Sequence, residues 1–336
     1  MLNIDIIGGS LSGLSTAISL KKLNSNINVT VYEKHKKIGY NPEGRRCGEA
    51  HSVQDEWKKW KPSKKSVFND IFTVNIIIGN RKYKVSRKPG LYCILNRQEF
   101  INQLGKQAKK LGTDIRTDSK IRDIDDLKGD YIIDATGCPS TIKRILGIKQ
   151  VSLGKTYQQS IEGSNYFDKN SVKLFMLGGN SYIWIFPRDP KKREINCGIG
   201  ISSLKNFDLK KNLEEFKKKN HIKGKINYTT GGLIPIGLQK PLKYKNILFV
   251  GDSGVGTMPI TGEGIHRALL SGDIAANCIA KNKANTYPYE ITRAFIKWQI
   301  IAMNLLRLGN IVNNIGEDAT IFICNKVFKR IFNNNY

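Results

Sequence analysis

Two glycine-rich strand-loop-helix units, about 240 residues apart, constrain what this chain can fold into more than any other feature. The first reads Ile4-Asp-Ile-Ile-Gly8-Gly9-Ser10-Leu-Ser12-Gly13 and continues as the apolar stretch Leu14 to Leu20. As a G-x-G-x-x-G turn it supplies Gly8 and Gly13, with the small Ser10 in the middle place. Such a turn leaves the first N–H groups of the following helix uncovered, so an anionic oxygen can reach the positive helix end. Twenty residues past Gly13, the strand Val29-Thr-Val-Tyr-Glu33 ends in an acid, where a ribose hydroxyl is held in such folds. With Gly9 and Ser12 lining the turn, this half points to a dinucleotide.

The second unit is Phe249-Val-Gly251-Asp252, a loop rich in Gly and Pro, and then Gly262-Glu263-Gly264-Ile265 entering a helix to Ala276. A nicotinamide cofactor is normally held by one stretch of chain, whereas the ribityl-isoalloxazine half of FAD needs support of its own. Asp252 is suited to accept from ribityl hydroxyls, and the amides of residues 262 to 265 to face the flavin pyrimidine oxygens. A third piece, Asp130-Tyr-Ile-Ile-Asp134-Ala135-Thr-Gly137, reads as a buried strand ending in a small-residue turn beside the cofactor. The expected class is α/β. A discontinuous Rossmann-like FAD-binding domain covers 1–150 and 245–285, an antiparallel-sheet substrate domain 151–244, and a C-terminal helical region 286–336. Residues 56–92 read as an insertion in the first domain, with a hairpin turning at Gly79-Asn80.

In 151–244 the pattern changes to strands Val172 to Leu177, Tyr182 to Pro187 and Ile195 to Ile201, with a basic helix Leu209 to Asn220. Alternation in Tyr182-Ile-Trp184-Ile-Phe186 puts three aromatic rings on one face and two isoleucines on the other. That pattern fits either an ordinary sheet core or a wall for an apolar ligand.

These segments together resemble the FAD-dependent oxidoreductases of the p-hydroxybenzoate hydroxylase fold. Within that group they look like the geranylgeranyl reductase family, which saturates isoprenoid double bonds, notably in archaeal membrane lipids. Tyr182-Ile-Trp184-Ile-Phe186-Pro187 resembles the family's Tyr-x-Trp-x-Phe-Pro signature, with Gly179 standing where a proline is common. Arg46-Cys47-Gly48-Glu49 resembles its cysteine-glycine stretch. The resemblance implies that Arg46, Cys47, Gly48 and Arg97 approach FAD, and that Tyr182, Trp184, Phe186 and Pro187 line a prenyl-chain site. It also makes Cys47 and Tyr182 the candidates for proton delivery. Saturating an unpolarised alkene needs a hydride from the flavin and a proton on the other carbon, in a dry site. No second dinucleotide unit is present, so electrons are expected from transiently bound NAD(P)H or from reduced ferredoxin.

The charge balance bears on partners rather than fold. With 55 Lys and Arg against 28 Asp and Glu, the formal net charge is +27, which attracts polyanions. No nucleic-acid recognition motif accompanies it, so the partners in view are an anionic membrane surface, an acidic electron-donor protein, or none. Cysteines at 47, 93, 138, 197, 278 and 324 show no metal-ligand spacing, and no metal is expected. The N-terminus enters the first strand directly and no apolar run has membrane-spanning length, so a cytoplasmic enzyme is the expectation, either free or peripheral on the inner face of the cell membrane. The segment Thr320 to Phe332 reads as a basic amphipathic helix, able to cover a core or lie on lipid. Two other functions stay open. One is a flavin-dependent monooxygenase or halogenase, whose Trp-x-Trp-x-Ile-Pro strand Tyr182 to Pro187 partly echoes. The other is a non-catalytic flavin-bearing protein that binds lipid or nucleic acid.

Overall fold

The computed structural model describes residues 1–40, 48–52, 60–86, 90, 92–177, 180–202 and 206–313. Arg46, Cys47, Gly179 and the segment 320–332 lie outside the described residues.

Near-continuous apolar runs make the strands of the first sheet, as expected where both faces are covered by helices. Its order is β15 (Lys243–Tyr244), β16 (Ile247–Phe249), β9 (Tyr131–Asp134), β1 (Asn3–Ile7), β2 (Asn28–Tyr32) and β8 (Asp114–Arg116). All neighbours are parallel except β15 with β16. Chain order runs outward in both directions from β1, so the crevice above β1 and β9 is the topological switch point where ligands bind in such sheets.

Helix α1 (Leu11–Leu23) is buried all round from Leu11 to Leu20, with helices against it on more than one side. It packs on α2 (Arg97–Lys110) and on α5 (Ile265–Ala280). The α5 contact is very close because both surfaces are small. A Cβ on Gly272 would overlap Ser12 O and Ser15 Oγ and stand 2.8 Å from Thr16 Oγ1. Ser19 Oγ donates to Asp273 one turn further along, at 2.7 Å. Helix α6 (Tyr287–Asn313) is anchored by the Tyr287 hydroxyl, which donates to Phe249 O at 2.7 Å. The short α3 (Thr141–Ile145) follows β9 and is capped by Ser140.

The second sheet has the order β14 (Lys225–Pro235), β10 (Leu153–Glu162), β13 (Glu194–Ile201), β12 (Ser181–Asp189), β11 (Ser171–Met176), β5 (Thr73–Ile78) and β6 (Arg81–Ser86). It is antiparallel apart from the β5–β11 pair. The β5–β6 hairpin within 56–92 therefore continues the second sheet, although its sequence lies inside the cofactor half. A small third sheet, β3 (Ala50–Ser52), β7 (Tyr92–Leu95) and β4 (Val67–Asp70), packs against β12. Helix α4 (Leu209–Lys219) covers one face of the second sheet, where Leu213 and Phe216 meet Ile183, Ile185, Cys197 and Ile199. The opposite face of β12 carries the aromatic rings.

Replacing Gly272 with valine forces side-chain atoms into the α1 backbone, an overpacking of about 1–3 kcal/mol. Thermal unfolding of Gly272→Val is expected several degrees below wild type, and an unchanged melting temperature would contradict the close α1–α5 contact.

Candidate active site

The first glycine turn is built by close approach. Gly8 has φ 106°, and a Cβ there would come within 2.6 Å of Ala135 O. The end of β1, the start of α1 and the turn after β9 thus meet at van der Waals distance. Ser10 does more than stand in for a glycine. It caps α1 by accepting from Gly13 N at 3.3 Å, and its hydroxyl donates to Ala135 O at 3.0 Å. Ser12 Oγ lies 3.1 Å from Ser10 Oγ. Glu33 is buried and accepts from Gly9 N at 2.9 Å with one carboxylate oxygen and from His35 N at 2.9 Å with the other. This ties the end of β2 to the glycine turn; His35, which also sets Nδ1 2.8 Å from Glu33 Oε1, had no signal in the sequence.

The second unit closes on the first. Gly251 has φ 59°, its Cβ position is 2.5 Å from Ser12 Oγ, and its N–H donates to Ser271 Oγ at 2.8 Å. Ser253 Oγ donates to Asp134 O at 2.6 Å. Burial pushes the Asp252 carboxyl upward, opposed by the charges of Arg97 and Arg267, so Arg97 at the head of α2 faces the same cradle. Arg267 holds the loop itself. It donates to Gly256 O at 2.9 Å and Val255 O at 3.0 Å and lies 4.4 Å over the Phe295 ring. Burial lowers its pKa to about 10, against the pull of Asp252. Gly262 takes φ 67°, and Gly264 caps α5 without a side chain, so the first-turn N–H groups from Ile265 onward face outward uncovered. Glu263 lies between them, its carbonyl accepting from Met258 N at 2.9 Å.

The turn after β9 completes the cradle. Asp134 is fully buried and accepts from Ser140 Oγ at 2.5 Å and from Thr136 N and Oγ1 at 2.9 and 2.7 Å. Burial raises its pKa while these donors and Lys143 oppose the rise. Lys143, 1% exposed, donates to Gln239 O at 2.5 Å and sits 4.6 Å over the Phe249 ring. Its pKa is lowered to about 8 by burial, with Asp134 opposing. Gly137, at φ 90°, has open space where a Cβ would point. A left-handed glycine facing open space, two glycine turns in contact and two helix starts aimed at one crevice fit FAD.

The aromatic face of β12 arrives at this crevice. The Tyr182 hydroxyl donates to Thr261 O at 2.7 Å, beside Gly262. Burial, with the charge of Glu263, pushes the phenol well above its ordinary pKa. Ring centroids are 5.6 Å apart for Tyr182 and Trp184, and 6.3 Å for Trp184 and Phe186. Trp184 lies flat on β13: a Cβ on Gly198 would overlap its indole, and one on Gly200 would stand 3.4 Å from it. Its Nε1 donates to Gln158 Oε1 at 2.9 Å. Gly48 covers the far end, with its Cβ position 2.8 Å from the Phe186 ring. Pro187 alternates to the isoleucine face and pairs with Ile195, so the structure does not bring it to the other three. No group of His, Cys, Asp and Glu able to hold a metal occurs among the described residues.

The comparisons with known proteins agree with this geometry. Residues 6–54 match the family model of an NAD(P)-binding Rossmann-like domain. A geranylgeranyl bacteriochlorophyll reductase-like protein from Thermoplasma acidophilum has the same fold, with a TM-score of 0.83 and 21% identity over 96% of this chain and 90% of its own. The flavin-dependent halogenase CmlS is similar with a TM-score of 0.66 and 16% identity, over 88% of this chain and 62% of its own. The protein thus has the fold of the flavin-dependent oxidoreductases. Its curated homologues carry a narrower name, digeranylgeranylglycerophospholipid reductase: 26% identity to that of Methanocella arvoryzae, over 81% of this chain and 75% of the relative. To the protein of the same name from Thermoplasma volcanium it is 28% identical, over 81% of this chain and 76% of the relative.

His51 gives the site a pH dependence. It is buried beside Phe100, and burial, then the charge of His266, lowers its pKa from 6.5 to about 4. The unfolded chain takes up this proton near pH 6.5 and the folded chain only near pH 4, so the neutral imidazole contributes stability above pH 6.5 that is lost as pH falls through that window. The loss is on the order of 3 kcal/mol. Denaturant unfolding at pH 7, 5.5 and 4.5 is expected to show this decline, and His51→Gln to flatten it; equal slopes in both proteins would show that another group is responsible.

Proposed function

We propose that this chain is an FAD-dependent reductase that saturates carbon–carbon double bonds of geranylgeranyl lipids or diphosphates. One observation carries the reading: the aromatic strand runs directly into the cofactor loop, with the Tyr182 hydroxyl on Thr261 O at 2.7 Å. An apolar, aromatic-lined face therefore ends where the reactive part of a flavin would lie. The names of the curated homologues agree with it.

Gly8, Gly9, Ser10, Ser12 and Gly13 would hold the pyrophosphate at the head of α1, and Glu33 a ribose hydroxyl. Arg97, Ala135 and Gly137 line the same crevice. Gly251 and Asp252 would receive the ribityl chain, and the α5 start at Gly262 to Ile265 the pyrimidine oxygens. Reduced FAD, when bound, would supply a hydride to one alkene carbon, and a proton would be delivered to the other. The protein's part is to exclude water and hold the alkene. Tyr182, Trp184 and Phe186 offer ring faces to an isoprenoid chain, each methylene-sized group removed from water contributing roughly 0.8 kcal/mol. The same faces attract positive charge that develops on the alkene in the transition state. Electrons come from NAD(P)H or from reduced ferredoxin docking on the basic surface. The net charge of +27 and the lipid character of the proposed substrate support a peripheral position on an anionic membrane surface; no helix among the described residues is long and apolar enough to cross a membrane.

The test is anaerobic. Dithionite-reduced, FAD-loaded protein is mixed with geranylgeranyl diphosphate or a geranylgeranyl glycerophospholipid, and products are read by mass spectrometry for gains of two hydrogens per reduced bond. Absence of any mass gain sinks the proposal, and a halogenated product formed with oxygen and halide would favour the halogenase reading that the CmlS likeness allows. Trp184→Ala is expected to lower kcat/KM about tenfold or more through lost apolar contact while FAD stays bound. Loss of FAD from that variant would instead assign Trp184 to the fold.

A further inference from the structure

Beyond the face of β12 that carries Tyr182, Trp184 and Phe186, at a bulge between Pro187 and Asp189, Arg188 reaches the same Glu49 carboxylate as Asn196, the residue paired with Phe186. A charged residue continues an apolar stripe into the interior. Its side chain is 12% exposed, with Nε donating to Glu49 Oε2 at 2.6 Å and Nη1 to Glu194 Oε2 at 2.7 Å. Both carboxylates are buried. The guanidinium lies 4.3 Å over the Phe68 ring of β4. Asn196 Nδ2 donates to Glu49 Oε2 at 3.2 Å and to Gly48 O at 3.3 Å, and Asn227 Nδ2 to Glu194 Oε1 at 3.3 Å. Burial works against the Arg188 charge, but Glu49 and Glu194 outweigh it and the pKa rises.

Glu49 itself has φ 66°, a left-handed conformation uncommon for a residue other than glycine. It is held from three sides: by Arg188, by Asn196, and by Leu95 N, which donates to its carbonyl at 2.8 Å. Buried ion pairs add little stability over apolar residues of the same volume, because desolvation offsets their attraction. What they add here is direction. The cluster pins the small third sheet to the second sheet at the one place where Gly48 rests on Phe186.

We propose that Arg188 is a positioning residue that limits prenyl-chain length: by fixing Glu49 it keeps Gly48 on the Phe186 ring and closes the aromatic face at the end away from the cofactor loop. The proposal rests on the reductase reading above. From Tyr182 to Phe186 the face spans four residue steps, roughly 13 Å. A chain that extends past this point meets the Gly48 backbone and then a buried ion cluster.

The test measures binding, not turnover. Full-length, FAD-loaded protein is titrated calorimetrically with geranylgeranyl diphosphate and with geranylfarnesyl diphosphate, which has one more isoprene unit. Wild type is expected to bind the longer probe no better than the shorter. Arg188→Met alone would take the arginine from two buried carboxylates, so the main variant is Arg188→Met with Glu49→Gln and Glu194→Gln, which keeps volume and removes all three charges. Its affinity ratio is expected to move about tenfold or more toward the longer probe, because Gly48, no longer held on the Phe186 ring through Glu49, can move aside and admit the extra apolar unit. Arg188→Lys, which keeps the charge but not the two-pronged geometry, is expected to move the ratio in the same direction by less. Wild type that binds neither probe overturns the reductase reading together with this proposal. Wild type that binds both, with a ratio unchanged in the triple variant, overturns this proposal alone. Where the triple variant fails to retain FAD, an unchanged ratio in Arg188→Lys does the same.

Discussion

The crevice exists only because the two ends of the chain lie against each other without side chains between them. Gly8 approaches Ala135 O, Gly251 approaches Ser12 Oγ, and Gly272 lies on the α1 backbone. At each point a single added carbon would separate two segments that both contribute to the cradle. Strand pairing alone does not impose this. Three residues of β16 pair with β9, a short ladder that fixes height in the sheet but leaves the α5 axis free to tilt. The glycine contacts, with Ser19 on Asp273 and Gly251 N on Ser271 Oγ, remove that freedom and set where the positive end of α5 points.

A second constraint of the same kind operates in the substrate sheet. Trp184 occupies the space that side chains at 198 and 200 would fill, and its indole N–H reaches across β13 to Gln158 on β10. An indole laid flat on glycine is held in one orientation, so the edge it presents is reproducible. The ring is a fixed surface between Tyr182 at the cofactor loop and Phe186 under Gly48. Its isoleucine neighbours on the reverse face anchor the strand to α4, which separates holding the strand from lining the site.

How much of this was legible in the sequence follows from which constraints leave local marks. Gly8, Gly251 and Gly262 need positive φ, and Gly13 and Gly264 need missing side chains, so each announced itself as a glycine beside an apolar strand or a helix start. The alternation from Tyr182 to Phe186 likewise sorted its faces correctly. Long-range pairings leave no such trace. Thr73 to Ile78 pair in parallel with Ser171 to Met176, and nothing in either segment names the other, so the hairpin was read as an insertion in the cofactor half. The Glu49–Arg188–Glu194 cluster was invisible for the same reason: three charged residues far apart in a chain rich in charge look like surface. Gly198 and Gly200 carry no local mark of their role, because the indole they make room for, Trp184, lies on another strand.

The electrostatics of the described site narrow what it can do to a substrate. A group that delivers a proton efficiently has a pKa near the working pH. Tyr182 is pushed above its ordinary value and already donates to Thr261 O, so it holds its proton tightly. His51 is pushed down to about 4 and at neutral pH has no proton to give. Both shifts have burial as their largest cause, and burial is also what an unpolarised alkene needs around it. Among the described residues, the surface from Tyr182 to Phe186 is an aromatic lining with charge only at its two ends, Glu263 beside Tyr182 at the cofactor loop and Arg188 bound to Glu49 and Glu194 behind Phe186. Positive charge that appears on a substrate between those two ends would meet ring faces, so its stabilisation there has to come from the ring quadrupoles rather than from a paired counter-ion.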